Sequence, residues 1–121
     1  MSVEITNSLR SRSVIRVTGT GATTVSLANL SVNANEVVSN AAICHIMSST
    51  AADGAWTIKR GGASGETIAV LYGSNDLPLS QYDIAIANSS GSDIYVSNSG
   101  ADGTIILSVT KTATYTAPLE F

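Results

Sequence analysis

The sequence predicts an all-β chain: an antiparallel β-sandwich, jelly-roll-like, of about eight short strands. Three observations predict it. Short runs of Val, Ile and Thr alternate with polar residues at a period of two. Clusters of Gly, Asn, Asp and Ser interrupt those runs every 8–12 residues or so. No segment carries apolar residues at the 3, 4, 7 spacing of an amphipathic helix.

Taken in chain order, residues 1–16 stand apart as an N-terminal arm or first strand. The single domain with its C-terminal tail follows over 17–121. Arg10, Arg12 and Arg16 against Glu4 give 1–16 a net charge of +2, while the rest of the chain carries −5. In an extended strand the three arginines share one face and Ile15 and Val17 point to the other. The alternation predicts strands at 12–18, 23–30, 41–48, 55–60, 66–72, 79–88, 93–97 and 104–111. Trp56, Ile58 and Arg60 oppose Thr57 and Lys59, and Ile105, Leu107 and Val109 oppose Thr104, Ser108 and Thr110, with Ile106 breaking the pattern. Between the strands lie turn sequences: Gly19 to Gly21, Asp53-Gly54, Gly61-Gly62, Gly73-Ser74-Asn75-Asp76, Ser90-Gly91-Ser92 and the run from Asn98 to Gly103. These residues supply the left-handed or side-chain-bonded positions that tight turns need. Residues 31–40 read as a loop or a single helical turn. Pro118 keeps the tail out of a central ladder.

Composition narrows the functional classes. The chain has 121 residues, the size of one domain with a self-sufficient core. Its one cysteine, Cys44, excludes an internal disulfide, so no disulfide scaffold is expected. The N-terminus, MSVEITNSLRSRS, lacks the apolar run of a secretory signal, and no stretch approaches the ~18 apolar residues of a membrane helix. Synthesis and folding in a cytoplasm, with no membrane partner, are expected. Charged residues are 12% of the chain, about half the usual share, and Ser, Thr and Asn supply about a third of it. Such a surface suits close packing against neighbours, because few ions need desolvating. A net-acidic body makes nucleic acid an unsuitable partner.

The stretch ICHIMSSTAADGAWTIKRGG, residues 43–62, holds the only cysteine, histidine and tryptophan. On a regular strand Cys44 and His45 point to opposite faces and cannot act as nucleophile and base. Two ligands of this kind are too few for a zinc site, so no metal is expected. Cys44, beside Ile43 and Ile46, reads as a small buried hydrophobe. Trp56 reads as a core anchor or, alternatively, with His45, as a contact at an interface. No serine sits in a nucleophile elbow, and the acids fall mostly in turns, at Asp53, Asp76, Asp93 and Asp102, where capping is their ordinary work. The run from Asn98 to Asp102 offers oxygen donors to calcium but lacks an EF-hand's 12-residue loop and closing Glu. Neither enzyme activity nor a cofactor is expected.

The stretches WTIKRGG, ETIAVLYGSNDLPL and YDIAIANSSGSDIYVSNSGADGTIILSVTK, within residues 56–111, resemble the small all-β structural proteins of tailed bacteriophages. The likeness is to the decoration, or cement, proteins on the heads of short-tailed marine phages. The shared features are a Trp-initiated strand with basic residues, a Gly-rich turn, a GSDIYV hairpin and a late GTIIL strand. The resemblance implies a non-enzymatic virion protein on the outer capsid surface that stabilises the shell between capsomers. Its partners would be the major capsid protein and itself, as a homotrimer. The resemblance does not extend to the N-terminal third; it is the basic charge of that segment that makes Arg10, Arg12 and Arg16 the expected capsid-binding arm, with His45, Trp56 and Phe121 as candidate interface or surface contacts. The alternative is a glycan-binding β-sandwich module displayed on a particle.

Overall fold

The computed structural model describes residues 1–9, 12–31, 36–51, 53–78 and 91–115. Nine strands lie within them: β1 (Ser2–Leu9), β2 (Arg12–Thr18), β3 (Gly21–Val25), β4 (Glu36–Thr50), β5 (Ala55–Arg60), β6 (Glu66–Tyr72), β7 (Asn75–Leu77), β8 (Ile94–Asn98) and β9 (Gly103–Tyr115). They form two antiparallel sheets, a five-stranded one in the order β1-β2-β9-β4-β7 and a four-stranded one in the order β3-β8-β5-β6. The fold is a β-sandwich of antiparallel strands. The strand expected at 79–88 lies outside the described residues.

Alternation sorts each strand into an inner and an outer face. The five-stranded sheet contributes Ile15, Val17, Ile43, Ile46, Ile105, Leu107 and Val109 to the core, and the four-stranded sheet contributes Val25, Trp56, Ile58, Ile94 and Val96. Each large aliphatic or aromatic side chain so buried stabilises the fold by roughly 1.5–3 kcal/mol. Ile106, the residue that breaks the apolar alternation of β9, stands half-buried on the outer face, because its neighbours Ile105 and Leu107 both face inward.

Two local departures from the sequence reading have identifiable causes. The strand expected at 23–30 stops at Val25 and gives way to a 3-10 turn, Leu27–Leu30. Val25, Leu27 and Leu30 cannot share one face of a strand, but residues three apart eclipse in a 3-10 turn, and both leucines are buried. The Asp93 carboxylate fixes the start of this turn by accepting from Leu27 N–H at 3.1 Å. Second, the segment 31–40 is not all loop: β4 begins at Glu36 and runs fifteen residues, paired to β9 from Glu36↔Tyr115 to Thr50↔Gly103. Within β6, Leu71 turns inward and Val70 and Tyr72 are exposed. A bulge opposite Ile58 and Lys59 inserts Ile68 as an extra residue and sets this phase.

The N-terminal segment forms a hairpin within the larger sheet. β1 pairs β2 from Ser2↔Thr18 to Leu9↔Arg12, and β2 pairs β9 along its whole length. β2 is therefore an inner strand with Ser13, Ile15 and Val17 buried, and only β1 lies at the edge. Residues 2–9 and 12–16 thus sit in paired strands of the sheet, as the first-strand reading of 1–16 has it.

Candidate interaction surface

β4 carries two bulges, one between Val38 and Asn40 and one between Ile43 and His45. In the second, Ile43 faces Val109 and His45 faces Ser108, so Cys44 is the unpaired extra residue. The inward positions of β4 thereby become 36, 38, 41, 43, 46 and 48. Cys44 and His45 consequently share the outer face, half-buried, which corrects the expectation that they point apart. Each is held separately. The Cys44 thiol donates to the Ser108 carbonyl at 3.3 Å, and His45 Nε2 lies 2.6 Å from Asp76 Oδ1 on β7. The imidazole–carboxylate contact pins the three-residue β7 to β4, beside the backbone pairing of Ile46 to Ser48 with Asn75 to Leu77. Cys44 is half-buried and hydrogen-bonded rather than the fully buried hydrophobe expected.

The outer face of the five-stranded sheet is read row by row from the strand register. One row runs Glu4–Arg16–Ile106–Met47–Asp76 across all five strands. The row on one side is Ser2–Thr18–Thr104–Ser49; on the other it is Thr6–Val14–Ser108–His45. Hydroxyls dominate the flanks, apolar side chains hold the middle, and charges mark the ends. Arg16 lies 3.8 Å from Glu4, with both side chains more than half exposed, so the pair adds little stability. Met47 is 45% exposed. Beside it opens a shallow groove of about 270 Å3 between Met47, Ile106, Thr104, Ser49, Asn75 and Ser74. Arg12 is also exposed on this face, while Arg10 and Phe121 lie outside the described residues.

Trp56 is fully buried. Its indole N–H donates to the Ser49 carbonyl of the opposite sheet at 2.8 Å. The reading of Trp56 as a surface contact is thus corrected: it is the core anchor that ties the two sheets together.

Polar groups that could serve chemistry are turned to architecture. Asn98, buried at the end of β8, donates through Nδ2 to Gly19 O at 2.8 Å, and its Oδ1 accepts from Thr50 Oγ1 and Gly100 N–H, both at 2.9 Å. Gly100 and Gly54 pack so closely there that a Cβ on Gly54 would lie 2.5 Å from the Gly100 Cα. Asp102 Oδ1 accepts from Gly103 N–H at 2.8 Å. The side-chain oxygens of the loop considered for calcium are thus engaged in hydrogen bonds within the fold, to Thr50, Ala55, Gly100 and Gly103. Among the described residues no cluster of three His, Cys, Asp or Glu is placed to hold a metal ion.

Two further braces cross the interior. Arg60 sits on the inner face with Trp56 and Ile58, and its guanidinium donates to Ala41 O and Ser92 O, both at 2.7 Å. Burial lowers its pKa from the ordinary value, and the nearby Asp93 charge opposes that shift. Lys111 Nζ donates to Leu30 O at 2.7 Å and lies 3.3 Å from Glu36 Oε1, both side chains fully buried. Sequence reading placed Arg60 on the right face but missed the roles of Asn98, Lys111 and Glu36. Apart from Gly100, two residues beyond Asn98, their partners lie 48 to 81 residues away, and no local spacing signals them.

The outer face of the smaller sheet carries Lys59 with its ammonium 5.8 Å from the Tyr95 ring centroid, and Tyr72, 72% exposed. No family model, no curated protein and no solved structure matches the chain. The class defined by fold and surface is therefore an antiparallel β-sandwich with internally braced polar groups and a hydroxyl-rich, charge-poor outer sheet.

Proposed function

We propose that the protein is a structural component of a bacteriophage virion that decorates the outside of the capsid and stabilises it by binding the major capsid protein between capsomers. The observation that carries the reading is the use of the polar groups. Arg60, Asn98, Trp56, Lys111 and Glu36 join strands and loops that are distant in sequence, making a stiff body. The resemblance of residues 56–111 to phage decoration proteins supplies the particle. A stiff, nearly uncharged body suits a lattice in which many modest contacts add up by avidity.

Docking is assigned to the open edge of β1. Among the described residues this eight-residue strand pairs only with β2, and Met1 and Val3 are exposed along it. A capsid strand added there would be held by main-chain hydrogen bonds. Co-sedimentation tests the proposal: the protein should pellet with assembled capsids but not bind free coat protein, and should raise the temperature at which shells open. Absence of binding to the shells of its own phage would overturn it.

A second reading, a glycan-binding module, is favoured by one observation, the exposed ring of Tyr72. It requires a hit on a glycan array that Tyr72→Ala abolishes. Trp56, the other aromatic that such a site could use, is enclosed in the core.

A further inference from the structure

The central row of the larger sheet's outer face has a property that the proposed capsid role does not use. Along Glu4–Arg16–Ile106–Met47–Asp76 the strand order is β1, β2, β9, β4, β7. Consider a two-fold axis lying in the plane of this face, parallel to the strands and midway between β9 and β4. It carries β9 onto β4 and β2 onto β7. Ile106 then stands over Met47 of a second copy, and Arg16 stands over Asp76 of that copy. Each contact occurs twice. In the flanking rows the same operation sets Ser108 over His45 and Thr104 over Ser49, hydroxyls against groups that can hydrogen-bond them. An axis perpendicular to the strands does the opposite, setting Arg16 over Arg16 and Asp76 over Asp76, which like-charge repulsion disfavours. The face is complementary to itself in one orientation only.

We propose that this face is a homodimer interface, two copies packing outer sheet to outer sheet about an axis that runs along β9 and β4. The exposure of the row fits: the Arg16 and Asp76 side chains are 54% and 66% exposed, and Met47 is 45% exposed. The groove between Met47, Ile106, Thr104 and Asn75 receives Met47 of the second copy. Under this axis β1 overhangs, and β2, β9, β4 and the three-residue β7, about 4.8 Å apart, overlap over rows about 6.8 Å apart, for a footprint on the order of 350 Å2 of flat sheet per copy. The corrugated accessible area is larger, which places the contact at the small, weak end of the interface range. Aligned sheets cross at about 30°, and the central row, lying at the crossing point, keeps its contacts. The docking edge of β1 remains open in this arrangement, so the inference does not depend on the capsid reading.

Sedimentation velocity on the full chain, from about 1 to 100 µM, tests it. The native protein should sediment as a dimer at the upper concentrations. Arg16→Glu sets an acid over Asp76, and Asp76→Arg sets a base over Arg16. Each variant alone should raise the apparent dissociation constant at least about tenfold, since both symmetry-related contacts become repulsive. Mixed in equal amounts, the two variants should form a heterodimer, because both charge contacts are then attractive. Arg16 is a surface position, whereas Asp76 also holds His45, so a cooperative thermal melt of each variant, read at a concentration where the native chain is monomeric, checks its folding. Met47→Asp, at the centre of the interface, provides an independent variant that should also remain monomeric. The proposal is overturned if the native chain stays monomeric at 100 µM or assembles as the trimer expected from sequence. It is also overturned if the single variants dimerise like the native chain, or if the folded variants fail to pair when mixed.

Discussion

Asn98 joins three connections at one end of the sandwich. Its amide bonds the β2–β3 turn at Gly19 and its carbonyl oxygen accepts from Thr50, at the end of β4, and from Gly100, in the β8–β9 turn. Replacing it with Ala leaves a carbonyl and an amide N–H without their partner in a tightly packed site. At about 1–3 kcal/mol per unsatisfied group, Asn98→Ala is expected to cost about 2–4 kcal/mol, read as a lower urea midpoint with an unchanged m-value. The sequence shows Asn98 opening a turn, and a turn residue is what it is. Its burial is invisible there, because Gly19 and Thr50 approach it only once the two sheets have stacked. Arg60 illustrates the same limit. Alternation places it beside Trp56 and Ile58, but a charged group on an inward face makes sense only with the carbonyls of Ala41 and Ser92 in view. For His45 the missing fact was a bulge, which reverses the direction in which its neighbour points.

Bulges also govern the element scale. β4 is the longest strand, and a regular fifteen-residue strand would alternate throughout. Its apolar positions do not: Val38, Ala41, Ile43 and Ile46 are separated by three, two and three residues, and all four are buried. In the sequence the interval from Val38 to Ala41 reads as a loop giving way to a strand, and the interval from Ile43 to Ile46 falls inside the strand expected at 41–48. A bulge and a strand end interrupt the period identically until the partner strand is known. A deletion experiment discriminates the roles. Removing Cys44 deletes the extra residue, leaving Ile43, His45 and Ile46 in strict in–out–in order opposite Val109, Ser108 and Leu107. Removing Ala42 instead flips every side chain from Glu36 to Ala41 to the wrong face. The Cys44 deletion should fold with a loss near the ~1 kcal/mol typical of single changes. The Ala42 deletion should not give a cooperative transition by circular dichroism. Equal damage from both would mean that the bulge itself is needed.

At the scale of the whole molecule, the question is where the body ends and a docking element begins. Charge and composition divide the sequence after residue 16, whereas β2 runs across that point from Arg12 to Thr18, because charge patterning follows solvent exposure rather than pairing. Arg12 and Arg16 are exposed, but Ser13 and Ile15 between them, and Val17 just after, are buried on a strand paired to β9. The mechanical boundary falls within the β1–β2 hairpin. Removal of residues 1–9 takes away one edge strand and the partly buried Ile5, a loss of about 2–3 kcal/mol from apolar burial of the kind Ile5 provides. The remaining strands keep their partners, so this truncation should melt cooperatively at a lower temperature. Removal of residues 1–16 takes Ile15 from the core and breaks the ladder to β9, and the product should be unfolded or aggregated, since β9 then offers an apolar edge. Capsid co-sedimentation of the folded 1–9 truncation then separates two modes of attachment. Loss of pelleting with the fold intact assigns docking to the β1 edge, through main-chain pairing. Retained pelleting moves docking to the outer faces, where a weakened interaction on Tyr72→Ala or Arg12→Ala would show which sheet meets the shell.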